Sequence, residues 1–308
     1  MSPTRTFVTL VRRELWEHRA LVYAPLAVAV LFVVILASLT YGMVEGPGAV
    51  RIDGKEIDFV AAMTGENQRK FFSIVISSMI LPQLLVALVV VFFYLLDSLY
   101  SERKDRSILF WKSLPVSDAM TVASKAFVAL IVVPLVVYVA ALLSGLIALV
   151  ITRFKVAGTP FEPMFTWHTA DWFVVQGALL LNLVIAALWY LPIAAALLLI
   201  SVAARRAATL WAILPPLILT IVERSTLGTQ RVFAFLVYRF TGYFDAMGAD
   251  FERAPAPTSS ARVERVSELY DQIIALPLFA NIDLWLGVAA GLAMLALAAR
   301  LRRWRDDA

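Results

Sequence analysis

Six apolar runs, each close to the length of a membrane-crossing helix, dominate this chain. They lie near 21–41, 74–96, 122–151, 173–201, 207–222 and 282–301. A helix rises about 1.5 Å per residue, so roughly 20 apolar residues cross about 30 Å of hydrocarbon. Inside lipid, backbone N–H and C=O groups must be satisfied within the chain, and runs of this length do that as helices. No Asp, Glu, Lys or Arg falls in the middle of any of the six. Lys125, in the first turn of the third run, and Arg300, in the last turn of the sixth, are expected to snorkel to the headgroups. Composition agrees: 61% of residues are hydrophobic and 16% charged, against about half and about a quarter in a soluble domain. The expected fold class is an all-α integral membrane protein, one transmembrane domain over 1–308.

Charge orients the bundle. With both termini cytoplasmic, the inside segments hold 15 basic and 8 acidic residues, and the outside segments 12 and 15. That excess of Lys and Arg inside is what the positive-inside rule expects. The first apolar run is span-length and no short h-region with a small-residue cleavage site precedes it, so a removable signal is not expected. Residues 6–20 read instead as an amphipathic elbow helix. Val8, Val11 and Leu15 share its apolar face, and Arg12, Arg13 and Glu17 are polar. Such a helix fits a surface anchor in contact with membrane lipids, or a partner contact.

The fifth run is short. Its 16 residues, about 24 Å as a helix, contain Pro215 and Pro216, and Glu223 and Arg224 are expected to end it. Residues 223–281 then lie outside. Within them, 231–248 is apolar but interrupted by Arg231, Arg239 and Asp245. A seventh span there would place the four arginines after the sixth run outside, so an interfacial or re-entrant helix is expected. Residues 252–261 read as a linker, and 262–274 as a short outside helix. Small residues recur at four-residue spacing: Ala140, Ser144 and Ala148 in the third run, Gly287 and Gly291 in the sixth. Such faces suit close helix packing within the chain, or a dimer contact.

Several chemistries are missing. There is no Cys, and His18 and His168 are far apart, so no disulfide and no local metal motif is expected. G-x-x-x-x-G-K-[ST], H-E-x-x-H and G-x-S-x-G are all absent. No paired carboxylates or histidine relay sits within the apolar runs. The chain is therefore expected not to be an enzyme and to hold no cofactor. Its basic surplus belongs to membrane topology rather than to nucleic acid.

The informative segment is "SERKDRSILFWKSLPVSD", 101–118. It lies in the cytoplasmic loop 97–121 between the second and third runs. Glu102, Arg103, Lys104, Asp105 and Arg106 mix both signs, unlike a purely basic lipid-binding cluster. Ser107, Ile108, Leu109, Phe110, Trp111 and Leu114 then form a short helix over 107–114, which Pro115 ends. Ser117 or Asp118 can cap the next helix. This helix reads either as interfacial, with Trp111 in the aromatic belt, or as a knob for a groove on a cytoplasmic partner.

"SERKDRSILFWKSLPVSDAMTVASK" resembles the cytoplasmic segment of ABC transporter permeases of the type-two exporter class (ABC-2-type). The family pattern is a charged run, then Gly-Thr-Leu, then Leu-x-x-Pro-Val-Ser and a later lysine. Here Glu102-Arg103 supplies the charged run, Leu114-Pro115-Val116-Ser117 the proline segment and Lys125 the lysine, while Arg106-Ser107-Ile108 replaces Gly-Thr-Leu. The layout also resembles the family: an elbow helix, six spans, this loop, and outside helices after a short fifth span. The resemblance implies that 107–114 is a coupling helix. It implies that Glu102, Arg103, Asp105, Arg106, Ser107, Ile108, Leu109, Phe110, Trp111 and Leu114 contact a separate P-loop ATPase, present as a dimer and carrying ATP and Mg. It implies a second permease copy or a paralogue, met across a pathway that includes Val86 and Val90 of span two and Leu214, Pro215, Pro216 and Leu219 of span five. The function implied is export across a bacterial-type inner membrane by alternating access; lipid, drug, peptide and polysaccharide stay open as cargo, and the aromatic, uncharged spans lean towards an amphipathic one. The alternative is a non-transporting membrane anchor that recruits a partner through the same loop.

Overall fold

A computed structural model describes residues 2–45, 49–52, 55–58, 65–105, 116–158, 162, 169–253 and 277–304. Six of its helices are long and apolar enough to cross a membrane: Ala20–Ser38, Pro82–Lys104, Asp118–Val156, Gln176–Ala203, Ala208–Leu227 and Ile282–Trp304. The six expected spans are therefore present, and the chain is a multi-pass membrane protein by length and composition. The helices are α1 (Pro3–Glu17), α2 (Ala20–Glu45), α3 (Gly65–Asp97), α4 (Tyr100–Lys104), α5 (Asp118–Phe127), α6 (Val133–Val156), α7 (Thr169–Ala203), α8 (Ala208–Leu227), α9 (Arg231–Arg253), α10 (Pro277–Ala280) and α11 (Ile282–Trp304). A π-helical turn, Val128–Val132, joins α5 to α6 within the third span. It directly precedes Val133 and Pro134, and a proline without an N–H cannot complete the regular ladder there.

Two compact units divide the chain. One comprises Val22–Leu88 and Leu135–Gly177. It contains an antiparallel hairpin, Ala49–Ile52 with Lys55–Asp58, whose partners run from Ala49 with Asp58 to Ile52 with Lys55. The signal that would have revealed it was Asp53-Gly54 between two short alternating segments. In the same unit the amide of Gln83, fully buried on span two, donates to the Ser144 hydroxyl on span three at 3.4 Å. Ala140, Ser144 and Ala148 are all buried, so this small-residue face packs within the chain. The Lys155 ammonium donates to the Ala37 carbonyl at 2.8 Å.

The other unit comprises Met1–Leu21, Val89–Pro134 and Ala178–Ala308. Both α1 and α11 pack on α5. On α1 the inward residues are Leu10 and Glu14, while Val8 is 59% exposed. The expected apolar face of Val8, Val11 and Leu15 is thus corrected: the helix turns a carboxylate inward because a cation awaits it there. An apolar core of Ala178, Ile185, Trp189, Tyr243, Leu278 and Leu284 joins α7, α9, α10 and α11. The Trp189 indole donates to the Arg239 carbonyl at 3.0 Å, and the Arg239 guanidinium lies 4.4 Å from the Trp189 ring centroid. Tyr238 donates to the Asp283 carboxylate at 3.0 Å, and Tyr243 to the Asn182 carbonyl at 3.2 Å.

Span five outruns its expected end. α8 continues through Glu223 and Arg224 to Leu227, where Gly228 closes it with φ of 65°. Glu223 does not stop the helix because its carboxylate serves the next one. It accepts from the Thr229 hydroxyl at 2.6 Å, from Arg231 N at 2.7 Å and from Val232 N at 2.7 Å, covering the bare N-terminus of α9. α9 is one continuous helix over the expected 231–248 segment and beyond. The helix expected over 262–274 lies outside the described residues.

The glycines of span six serve packing inside this unit. A Cβ on Gly287 would overlap the Arg239 guanidinium, and one on Gly291 would lie 2.9 Å from Leu191 Cγ and 3.1 Å from the Pro192 backbone nitrogen. This face is therefore occupied by α7 and α9. Gly291→Ala should destabilise the protein by about 1–3 kcal/mol through forced separation of α11 and α7. Thermal unfolding in detergent measures it. A midpoint equal to wild type would show that the helices have slack at this crossing.

Candidate functional site

Among the described residues, the most elaborate polar structure joins the helices on either side of residues 106–115. The sequence is locally simple on both sides. The long α3 helix ends at Asp97, Ser98 and Leu99 form a turn, and the next short helix, α4, carries Glu102 and Arg103. On the return side, Ser117 caps α5, its hydroxyl accepting from Met120 N at 3.2 Å, which leaves Asp118 free to pair elsewhere.

Glu102 is the centre of an ion-pair network. One carboxylate oxygen meets the Lys125 ammonium at 3.1 Å and the Arg13 guanidinium at 3.4 Å. The other meets Arg302 Nη2 at 2.8 Å. Arg302 Nη1 reaches Asp118. Lys125 also holds Glu14 at 2.8 Å, and Tyr94 donates to the second Glu14 oxygen at 3.0 Å. The side chains of Glu14 and Lys125 are each 1% exposed. The network thus ties together α1, the end of span two, the start of span three and the end of span six. His18 stands edge-on to Tyr94 at 4.9 Å, and burial pushes its imidazole below the ordinary pKa, against the pull of Glu14.

Arg103 makes a second tie. Its guanidinium donates to the Ser201 and Ala204 carbonyls at 2.7 and 2.8 Å, at the C-terminal end of α7, where carbonyls lack helical partners. The Ser201 hydroxyl accepts from Leu99 N and Tyr100 N, at 3.2 and 3.0 Å. The break between α3 and α4 is therefore held by one serine.

The arrangement is a set of mutually satisfied charges. Each buried carboxylate already faces a cation, and a balanced buried network of this kind is costly to break by removing one member. Among the described residues no three His, Asp or Glu side chains stand together to hold a metal ion.

One expectation is corrected here. Lys125 does not snorkel: it is buried because two carboxylates meet it inside the chain. Glu102 and Arg103 are buried and bonded to other helices of the same chain. Asp105 is exposed at the end of the described segment, while Arg106, Ser107, Ile108, Leu109, Phe110, Trp111 and Leu114 lie outside the described residues. Val86 and Val90 are half-buried on span two. On span five Leu214 and Leu219 are exposed, and Pro215 and Pro216 half-buried. Glu14, Tyr94, Ser201 and Arg302 were not expected at the site. A carboxylate at an otherwise inward position of an amphipathic helix was the one available signal for Glu14.

No family model matches this chain, and no characterised protein and no solved structure matches it either.

Proposed function

We propose that this chain is the transmembrane permease subunit of an ATP-driven exporter of the ABC-2 type. The observation that carries the reading is Arg302, which holds Glu102 before the 106–115 segment and Asp118 after it. A loop whose two ends are clamped to one buried network passes a push on its tip to α1, span three and span six. A docking loop for an energy-supplying subunit needs that property; a flexible tether for a passive anchor does not. The sequence adds a tip carrying Phe110 and Trp111, and no phosphate-binding loop of its own. In this reading the termini and the clamped loop face the cytoplasm, and ATP and Mg belong to the partner ATPase. The cargo is amphipathic.

Two copies, or one copy and a paralogue, meet along spans two and five. Support comes from α8: Pro215 and Pro216 leave carbonyls one turn earlier without an N–H, and Leu210, Trp211, Leu214, Leu217 and Ile218 are exposed around it. Freed backbone groups are better satisfied against protein than against lipid. Because the chain has no native Cys, introduced cysteines report cleanly. Pairs drawn from positions 86–90 and 214–219 should crosslink between chains, in a pattern that ATP and vanadate change when the ATPase is bound. Single cysteines at Ser101 and Arg303 should react from the cytoplasmic side in the same membranes. Absence of crosslinks, or labelling of position 303 from outside, would overturn the reading.

A further inference from the structure

The outward face of α1 is basic and aromatic. At about 100° per residue, Arg5, Val8, Arg12 and Trp16 fall on one stripe, and Arg19 in the following turn continues it. All five are exposed, Trp16 by 68%. The Arg12 guanidinium lies 5.2 Å from the Trp16 ring centroid. No acid shares the stripe: Glu14 points into the buried network, and Glu17 is held by Arg13 at 2.7 Å.

An interfacial helix ordinarily gives its apolar face to the acyl chains. In α1 that role is taken within the protein, where Leu10 is buried and Phe7 meets Phe127 edge-on at 5.5 Å. What remains outside is arginine around one tryptophan and one valine, a composition suited to the headgroup layer. Only His18 and Arg19 separate α1 from α2, the first span, so the chain itself tethers the stripe next to that span. We propose that this stripe binds the headgroups of anionic phospholipids, whose phosphate has no ammonium of its own to neutralise it, so that the chain selects anionic over zwitterionic lipid. The proposal stands on α1 alone and does not depend on the permease reading.

Full-length protein purified with equimolar phosphatidylglycerol and phosphatidylcholine tests it, with the retained lipids counted by native mass spectrometry. Wild type should retain phosphatidylglycerol preferentially, and rising salt should weaken that preference. Arg5→Gln/Arg12→Gln/Arg19→Gln should lower it by roughly fivefold per arginine removed. Arg5→Lys/Arg12→Lys/Arg19→Lys should keep most of it. Lys104→Gln/Arg205→Gln/Arg206→Gln, which removes three exposed cations elsewhere, should leave it at the wild-type level. All three variants should unfold at the wild-type midpoint in lipid-free detergent, since the substituted side chains are exposed. A preference retained by the first variant, or lost equally by the third, would overturn the proposal.

Discussion

Lys125→Met should be the most destabilising single change in this protein outside its apolar core. The methionine fills the space of the lysine stem but leaves Glu14 and Glu102 facing each other in a buried site without their shared cation. Removing one partner from a buried pair costs about 3–5 kcal/mol, because the surviving charge keeps its desolvation penalty. The expected result is a clear fall in the unfolding midpoint in detergent, with loss of folded protein at growth temperature. Adding Glu14→Gln to Lys125→Met should recover part of the loss, since the amide can still accept from Tyr94 without a charge. A double variant no better than the single one would place the cost elsewhere than in the stranded carboxylate.

Arg302→Gln should come second, and its effect should be spatially confined. Arg302 is 4% exposed and serves Glu102 and Asp118 with separate nitrogens. Glu102 keeps Lys125 after the substitution, and Asp118 is exposed enough to turn to water. The expected loss is about 2 kcal/mol, the scale of hydrogen bonds to charged groups. Hydrogen exchange should speed up at 97–105 and 116–121, the two sides of the clamp. It should stay unchanged around Trp189 and Arg239, since Arg239 meets α11 near Asp283, about 28 Å along the helix from Arg302. Arg302→Lys should be intermediate, because an ammonium cannot reach both carboxylates as the two-pronged guanidinium does. Exchange rising equally at both ends of span six would mean that Arg302 stabilises the helix as a whole and clamps nothing.

The spans were legible because lipid imposes one requirement on every backbone group, and a run of about 20 apolar residues states it without tertiary context. Their ends were less so. Glu223 looked like a stop, yet it runs on within α8 because the N–H groups of Arg231 and Val232 need an acceptor. No local pattern encodes that pairing. The same holds for the buried network. Lys125 at a span end has the composition of a snorkelling residue, and only the arrival of Glu14 from 111 residues earlier and Glu102 makes burial favourable. Arg302 comes from 200 residues beyond Glu102, a distance no spacing argument reaches. The small-residue faces could be read as surfaces for close approach, but the neighbours at Gly287 and Gly291 became known only from the fold. The 107–115 segment is the reverse case. Its chemistry is plain in the sequence, from Ser107 to Pro115, and falls outside the described residues.

In the proposed reading, the tip of this loop carries the contact with a separate ATPase. Phe110→Ala/Trp111→Ala addresses it directly, since these are the two aromatic residues of 106–115. The measurement is the amount of P-loop ATPase co-purifying with tagged chain from membranes in which both are expressed, alongside the unfolding midpoint of the chain alone. ATPase recovery should fall at least tenfold, as expected when two aromatic anchors each contribute more than about 1 kcal/mol, while the midpoint should stay at the wild-type value. Wild-type recovery of the ATPase by the double variant would contradict it.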